Sequence, residues 1–197
     1  MVRKYAPLIA AGVILAVLAG FWAWRAAESP TPGAAPGIGG SFHLVDQTGR
    51  PVDQTVLKGK WTAVFFGYTS CPDVCPTTLQ TLGAAAAGLG PDRRRLQIVF
   101  ITVDPQRDTP AQLKDYLSSS AFAPGVIGLT GSPAQVAQAA KAYGVYYQRQ
   151  GDGDAYAVNH SSAIYLMNPQ GRFDSVIAYG LSPQQTRDSL LKAMRAD

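Results

Sequence analysis

A chain of 197 residues with 17 basic and 13 acidic side chains is sized for one domain plus an appendage. Setting aside Arg3, Lys4, Arg25 and Glu28 leaves 14 basic and 12 acidic residues from Ser41 onward. So small an excess is no nucleic-acid footprint, and the chain is read as binding none.

The chain is uncharged and strongly apolar from Tyr5 to Trp24, enough for a helix of about 30 Å, one bilayer core. Arg3 and Lys4 precede this run, which predicts a cytoplasmic N-terminus and an exported remainder. Trp22 and Trp24 sit where an interfacial aromatic belt belongs. The rival is a cleaved signal peptide ending near Val17-Leu18-Ala19. The run outlasts a signal core, so residues 1–25 are expected to form a transmembrane anchor. Residues 26–40, rich in proline, glycine and alanine, read as a linker, and residues 41–197 as the globular domain.

Phe42–Val45 and Pro51-Val52 flank a polar turn and predict a hairpin. The apolar run Ala63–Gly67 predicts a buried strand, and a helix is expected from about Pro76 to Leu89. Arg93-Arg94-Arg95 reads as a solvated turn, with a membrane-facing role as the lesser alternative, before a second buried strand, Leu96–Val103. After Asp104–Pro110 breaks the pattern, a helix opens at Pro110, capped by Thr109 or Asp108. A short strand over Gly125–Leu129, a helix from Pro133 to Tyr143 and a strand at Val145–Tyr147 come next. A polar loop, Gln148 to Tyr156, leads to Val158-Asn159-His160. Strands Ala163–Met167 and Phe173–Tyr179 and a helix over Pro183–Met194 complete the chain. This α/β order is that of a thioredoxin-like fold with an N-terminal hairpin and an inserted strand–helix unit. Right-handed crossover places the first two buried strands side by side, gathering Cys71, Cys75 and the Asp104–Asp108 loop at one edge.

Cys71 and Cys75 are the only cysteines. A structural staple over so short a loop is worth on the order of 2 kcal/mol at most, so chemistry is the better reason for the pair. Pro72 and Pro76 bias the residue before each away from helical angles, which predicts Pro76 as the first helical residue. Cys75 then lies at a helix start, where free N–H groups favour a thiolate. The pair suits disulfide exchange or half of a metal site. Of the two histidines, His43 falls on the first hairpin as a surface residue. His160 is an ordinary loop histidine by spacing, but the thioredoxin order returns it beside the cysteines. Two thiolates and an imidazole make a soft site that favours copper, as Cu(I) or Cu(II). Zinc stays open, although no fourth protein ligand stands out, and Met1, Met167 and Met194 form no thioether cluster.

Gly67-Tyr68-Thr69-Ser70-Cys71-Pro72-Asp73-Val74-Cys75-Pro76 resembles the signature of the Sco/SenC copper proteins. Val103–Pro110 resembles their second motif and Ile127–Gly131 a third stretch, and His160 falls where that family places its metal-binding histidine. The resemblance covers essentially all of residues 41–197 and extends to the anchor and linker. It implies one copper held by Cys71, Cys75 and His160, and a metallochaperone helping to assemble the binuclear copper centre of cytochrome c oxidase. The implied partners are the copper-accepting oxidase subunit and, beyond it, other copper chaperones or thiol reductants. The implied location is a bacterial inner membrane, single-pass, with the domain on the periplasmic side. Asn159 departs from the family, many of whose members carry aspartate before the histidine; this touches affinity or partner choice. The alternative is a thiol–disulfide oxidoreductase that reduces the cysteines of a copper-protein target. A peroxidase of the peroxiredoxin type lacks its own motif here. The glycine- and aspartate-rich stretch before His160 suggests that copper swings His160 onto the sulfurs and orders the loop. Asp104, Asp108 and Tyr68 are expected around the same rim, with helix capping the first role for Asp108.

Overall fold

The computed structural model describes residues 37–153 and 155–195. The expected transmembrane segment over 1–25, and the linker up to residue 36, lie outside the described residues. Among the described residues no helix is long and apolar enough to cross a membrane. A compact unit runs over Ile38–Asp197. It starts slightly before Ser41 because Ile38 packs on the core and the Gly39 N–H donates to the Ala142 carbonyl at 2.8 Å.

The core is built on β3 (Trp61–Gly67) and β4 (Leu96–Thr102), which pair in parallel from Trp61 opposite Leu96 to Gly67 opposite Thr102. Every residue of β3 is buried. A strand apolar on both faces needs cover on both, which is how parallel sheets are built. One cover is α1 (Val74–Ala87), which buries Cys75, Thr78, Leu79, Leu82, Ala85 and Ala86 at helical spacing. On one side of the central pair lie β5 (Ile127–Thr130), β1 (His43–Asp46) and β2 (Pro51–Asp53); on the other lie β8 (Ile164–Met167) and β9 (Phe173–Ile177). The strand order is β2-β1-β5-β4-β3-β8-β9, with α2 (Pro110–Leu117) and α3 (Pro133–Ala142) as crossovers and α4 (Pro183–Arg195) closing the chain. This is the expected thioredoxin-like order with its N-terminal hairpin and inserted β5–α3 unit.

Local chemistry explains the helix starts. The Thr109 hydroxyl accepts from Gln112 N–H at 3.2 Å. Ser132 and Gln135 cap each other's backbone in a reciprocal box. Pro110 and Pro133 each open a helix, where a missing N–H costs nothing.

Two expectations need correction. The helix after the cysteines begins at Val74, not Pro76. Amides of a first turn have no intrahelical acceptor, so Pro76 fits inside that turn and Cys75 becomes helical. Nor is all of Gln148–Tyr156 a loop. Tyr147–Gln150 forms β6 and pairs antiparallel with β7 (Ala157–His160), Tyr147 standing opposite His160. The strand expected at Val145–Tyr147 thus lies further along the chain, because β6 is largely exposed and its polar side chains carry no alternating apolar signal.

Candidate metal centre

Parallel pairing brings the chain after β3 and the chain after β4 out at the same edge of the sheet. The two are tied directly: Val103 N–H donates to the Gly67 carbonyl at 2.8 Å. Asp108, fully buried, accepts from Thr69 N–H (3.0 Å), Thr69 Oγ1 (2.6 Å) and Thr102 Oγ1 (2.6 Å). Burial pushes its carboxyl up despite these donors. Asp108 therefore caps no helix, Thr109 doing that at α2; it fastens the cysteine turn to the neighbouring loop.

Within that turn the Cys71 N–H donates to the Tyr68 carbonyl at 3.2 Å. Cys71 is half-buried and Cys75 completely buried, both as free thiols. Gly67 makes room: a Cβ there would stand 2.8 Å from Cys75 Sγ and 2.8 Å from the Phe100 ring. The helix start was expected to lower the Cys75 thiol. Burial overrides the helix dipole and pushes it up. A metal taking Cys75 as thiolate must therefore displace its proton.

His160 arrives on β7. Its Nε2 lies 3.6 Å from Cys75 Sγ, and its Nδ1 lies 2.9 Å from the Ser161 carbonyl oxygen. A carbonyl only accepts, so Nδ1 carries the hydrogen and Nε2 presents its lone pair to the sulfur side. Burial lowers the imidazole pKa, which keeps the ring in the neutral, ligating form. Phe65 and Tyr68 meet the ring edge-on, at centroid distances of 6.2 and 5.9 Å. One ligand atom from each of Cys71, Cys75 and His160 lies within 4.8 Å of the other two. Two soft sulfurs and an imidazole nitrogen so close fit a soft cation. His160 is already beside the sulfurs, so no swing is needed to bring it there. His43 is exposed on β1, as expected.

A second set of residues holds the β6–β7 hairpin in place. Arg107 forms an ion pair with the buried Asp104 carboxylate and donates through Nη1 to the Tyr156 carbonyl at 3.0 Å. The Tyr156 hydroxyl donates to Asp104 Oδ1 at 2.6 Å. The guanidinium carbons of Arg107 and Arg149 stand 3.7 and 3.8 Å from the Tyr156 ring centre. Two cations come that close only on opposite faces, so the ring is sandwiched. Tyr68 lies 5.7 Å from the same Arg107 carbon. Asp104, expected at the rim, is thus the anchor of this clasp. Arg107 stood inside a quoted motif without a role, and Tyr156 and Arg149 gave no signal, because their partners lie far away in sequence.

The SCO1/SenC family model matches residues 30–195. The chain belongs to the SCO1/SenC family. It is 41% identical over 161 residues to the mitochondrial SCO2 homologue of Homo sapiens, which covers 80% of this chain and 60% of that protein. The chain thus spans less than two thirds of that relative. Among solved structures, Bradyrhizobium japonicum ScoI with copper bound is 43% identical, with a TM-score of 0.71, covering 79% of this chain and 99% of that one. Yeast Sco1 with copper bound is 37% identical, with a TM-score of 0.75 and coverage of 82% and 91%. Both are what this SCO1/SenC member is similar to in sequence and in fold.

Proposed function

We propose that this protein is a membrane-anchored copper metallochaperone that carries one copper on Cys71, Cys75 and His160 and delivers it during assembly of the binuclear copper centre of cytochrome c oxidase. One observation carries the reading: the two sulfurs and the unprotonated Nε2 converge within 4.8 Å at an open edge of the sheet, in a family whose relatives are solved with copper bound. Residues 1–25 serve as the anchor in a bacterial inner membrane, residues 26–40 as the tether and residues 41–197 as the periplasmic copper domain. The copper-accepting oxidase subunit is the recipient. The test is copper titration of the full chain followed by visible absorption, repeated for Cys71→Ser, Cys75→Ser and His160→Ala. About one copper per chain is expected, with loss of tight binding in each variant. A thiolate-to-copper band unchanged by His160→Ala would remove the third ligand and the proposal with it.

A second reading, thiol–disulfide exchange with the recipient, draws on the unequal exposure of the pair. Half-buried Cys71 is placed to attack a partner disulfide, and buried Cys75 to resolve the mixed disulfide. The pair would lose two electrons and two protons and become a disulfide while the partner's disulfide is reduced to two thiols. A disulfide also removes both sulfur ligands, so the two activities exclude each other in time. Exchange that persists in His160→Ala while copper binding is lost would separate them.

A further inference from the structure

Basic side chains gather at one end of the domain's sheet, away from the metal centre. At the mouth, on the turns after β3 and β4, Asp104 is paired with Arg107 and Asp108 is fully buried. At the opposite end, where β3 and β4 begin, the segments entering the sheet are basic. Lys58 and Lys60 precede β3, and Arg93, Arg94 and Arg95 form the 3₁₀ turn before β4. The structure joins these segments into one face. Lys60 and Arg93 line the same cavity of about 230 Å³, with Leu96–Ile98 and Pro124–Ile127 around it. Arg93 bonds only to the carbonyls of Leu96 and Pro124, at 2.9 and 3.4 Å, which positions the cation without neutralising it. The turn before β9 joins them: Gly59 N–H donates to the Pro169 carbonyl at 2.8 Å, and Arg172 follows this contact, exposed. The end of α4 arrives here too, since Arg95 Nη2 donates to the Met194 carbonyl at 3.2 Å, bringing exposed Lys192. Against this stand Asp92, paired with Arg95 at 3.0 Å, and Asp174 on β9.

The chain enters the domain near the same end. A Cβ on Gly39 would lie 3.0 Å from Met167 Cε, and Met167 pairs through β8 with Thr62, the second residue of β3. For the residues from Arg25 to Ile38 the root-mean-square span of a flexible chain is on the order of 20 Å. On the anchored reading the bilayer therefore stays close to this end, and the attraction of lysine and arginine to anionic headgroups acts within about 10 Å.

We propose that this basic foot is a docking face for anionic lipid headgroups, which seats the domain on its own bilayer and turns the cysteine–histidine mouth outward. The inference uses the anchored reading of residues 1–25 and none of the copper chemistry, so the metal-free chain suffices to test it.

The full chain is reconstituted into vesicles of neutral phosphatidylcholine or of phosphatidylcholine with phosphatidylglycerol, and each lysine's rate of labelling by an amine reagent is read by mass spectrometry. On anionic vesicles Lys58, Lys60 and Lys192 should label about threefold more slowly or less, while Lys114, exposed on α2, is unchanged. High salt, which shortens the screening length to about 3 Å near 1 M, should erase the protection, as should Lys60→Glu combined with Arg94→Glu. Equal labelling on the two vesicle types overturns the proposal. So does protection that appears only when an acidic soluble protein is added, which would assign the face to a protein. Salt reversal on the unaltered chain decides the matter even if the double variant fails to fold. Loss of the chain from neutral vesicles in flotation would overturn the anchor, a result distinct from any labelling pattern.

Discussion

The two halves of the metal centre are built to different standards. The cysteine turn joins the central strand to a core helix; Cys75 is fully buried, and Asp108 straps the turn to the neighbouring loop through two hydrogen bonds from Thr69 and is itself held by Thr102 at the end of β4. The histidine instead rides on a two-stranded ribbon outside the main sheet. A cavity of about 150 Å³ lies between part of that ribbon and the loop after β4, with Asp104 and Tyr156 of the clasp in its lining. The sulfurs sit in the core itself, whereas the imidazole reaches it from outside the main sheet, through buried Tyr156 and Val158 and the edge-on rings of Phe65 and Tyr68.

The contrast can be broken from either side. The largest effect is expected from Gly67→Ala, whose new methyl would meet Cys75 Sγ and Phe100 at 2.8 Å. Overpacking of this kind costs about 1–3 kcal/mol, visible as an earlier urea midpoint, and it should also shift the sulfur and weaken copper binding. An intermediate effect is expected from Arg107→Met, which leaves the sulfurs alone and opens the clasp. Copper should dissociate about tenfold faster, the scale seen for outer-shell contacts. Amide exchange should accelerate over 157–160 and stay unchanged over β3; equal acceleration in both would make the ribbon an integral part of the core.

The smallest effect on the site is expected at the far β1–β2 turn. Burial opposes ionisation of Asp46, yet donors from Thr48 and Arg50 hold its carboxyl down to about 2, from an ordinary 3.8. A folded pKa below the unfolded one gives stability that is full above 3.8 and is lost as pH falls through about 2. Solvent screening beside the exposed Arg50 reduces the worth of the shift to about 1 kcal/mol. Asp46→Asn should remove that stability at neutral pH, measured by denaturant melts, while copper affinity stays as it was.

Reading the sequence succeeded where one segment carries its own cause. The apolar runs of β3 and β4, the proline-opened helices and the paired cysteines all announce themselves within a few residues, and crossover handedness then brings their ends together. The ligand group emerged because only His160 falls where this order returns the chain to the cysteines. What stayed hidden depends on partners distant in sequence. The extension of β6 from Tyr147 to Gln150 lacks an apolar face of its own, and the clasp joins Asp104 to Tyr156 across the fold. The ionisation of Cys75 was misjudged for the same reason: the helix start is local, whereas the burial that defeats it comes from the assembled core.

The ribbon that presents His160 has one further consequence. Along β7, Val158 is buried and His160 half-buried, whereas Ala157 and Asn159 are exposed. The two-residue period of a strand thus divides this segment into an inner face turned to the sulfurs and an outer face turned to solvent. Asn159 belongs to the outer face. A substitution there should leave the ligand beside it in place.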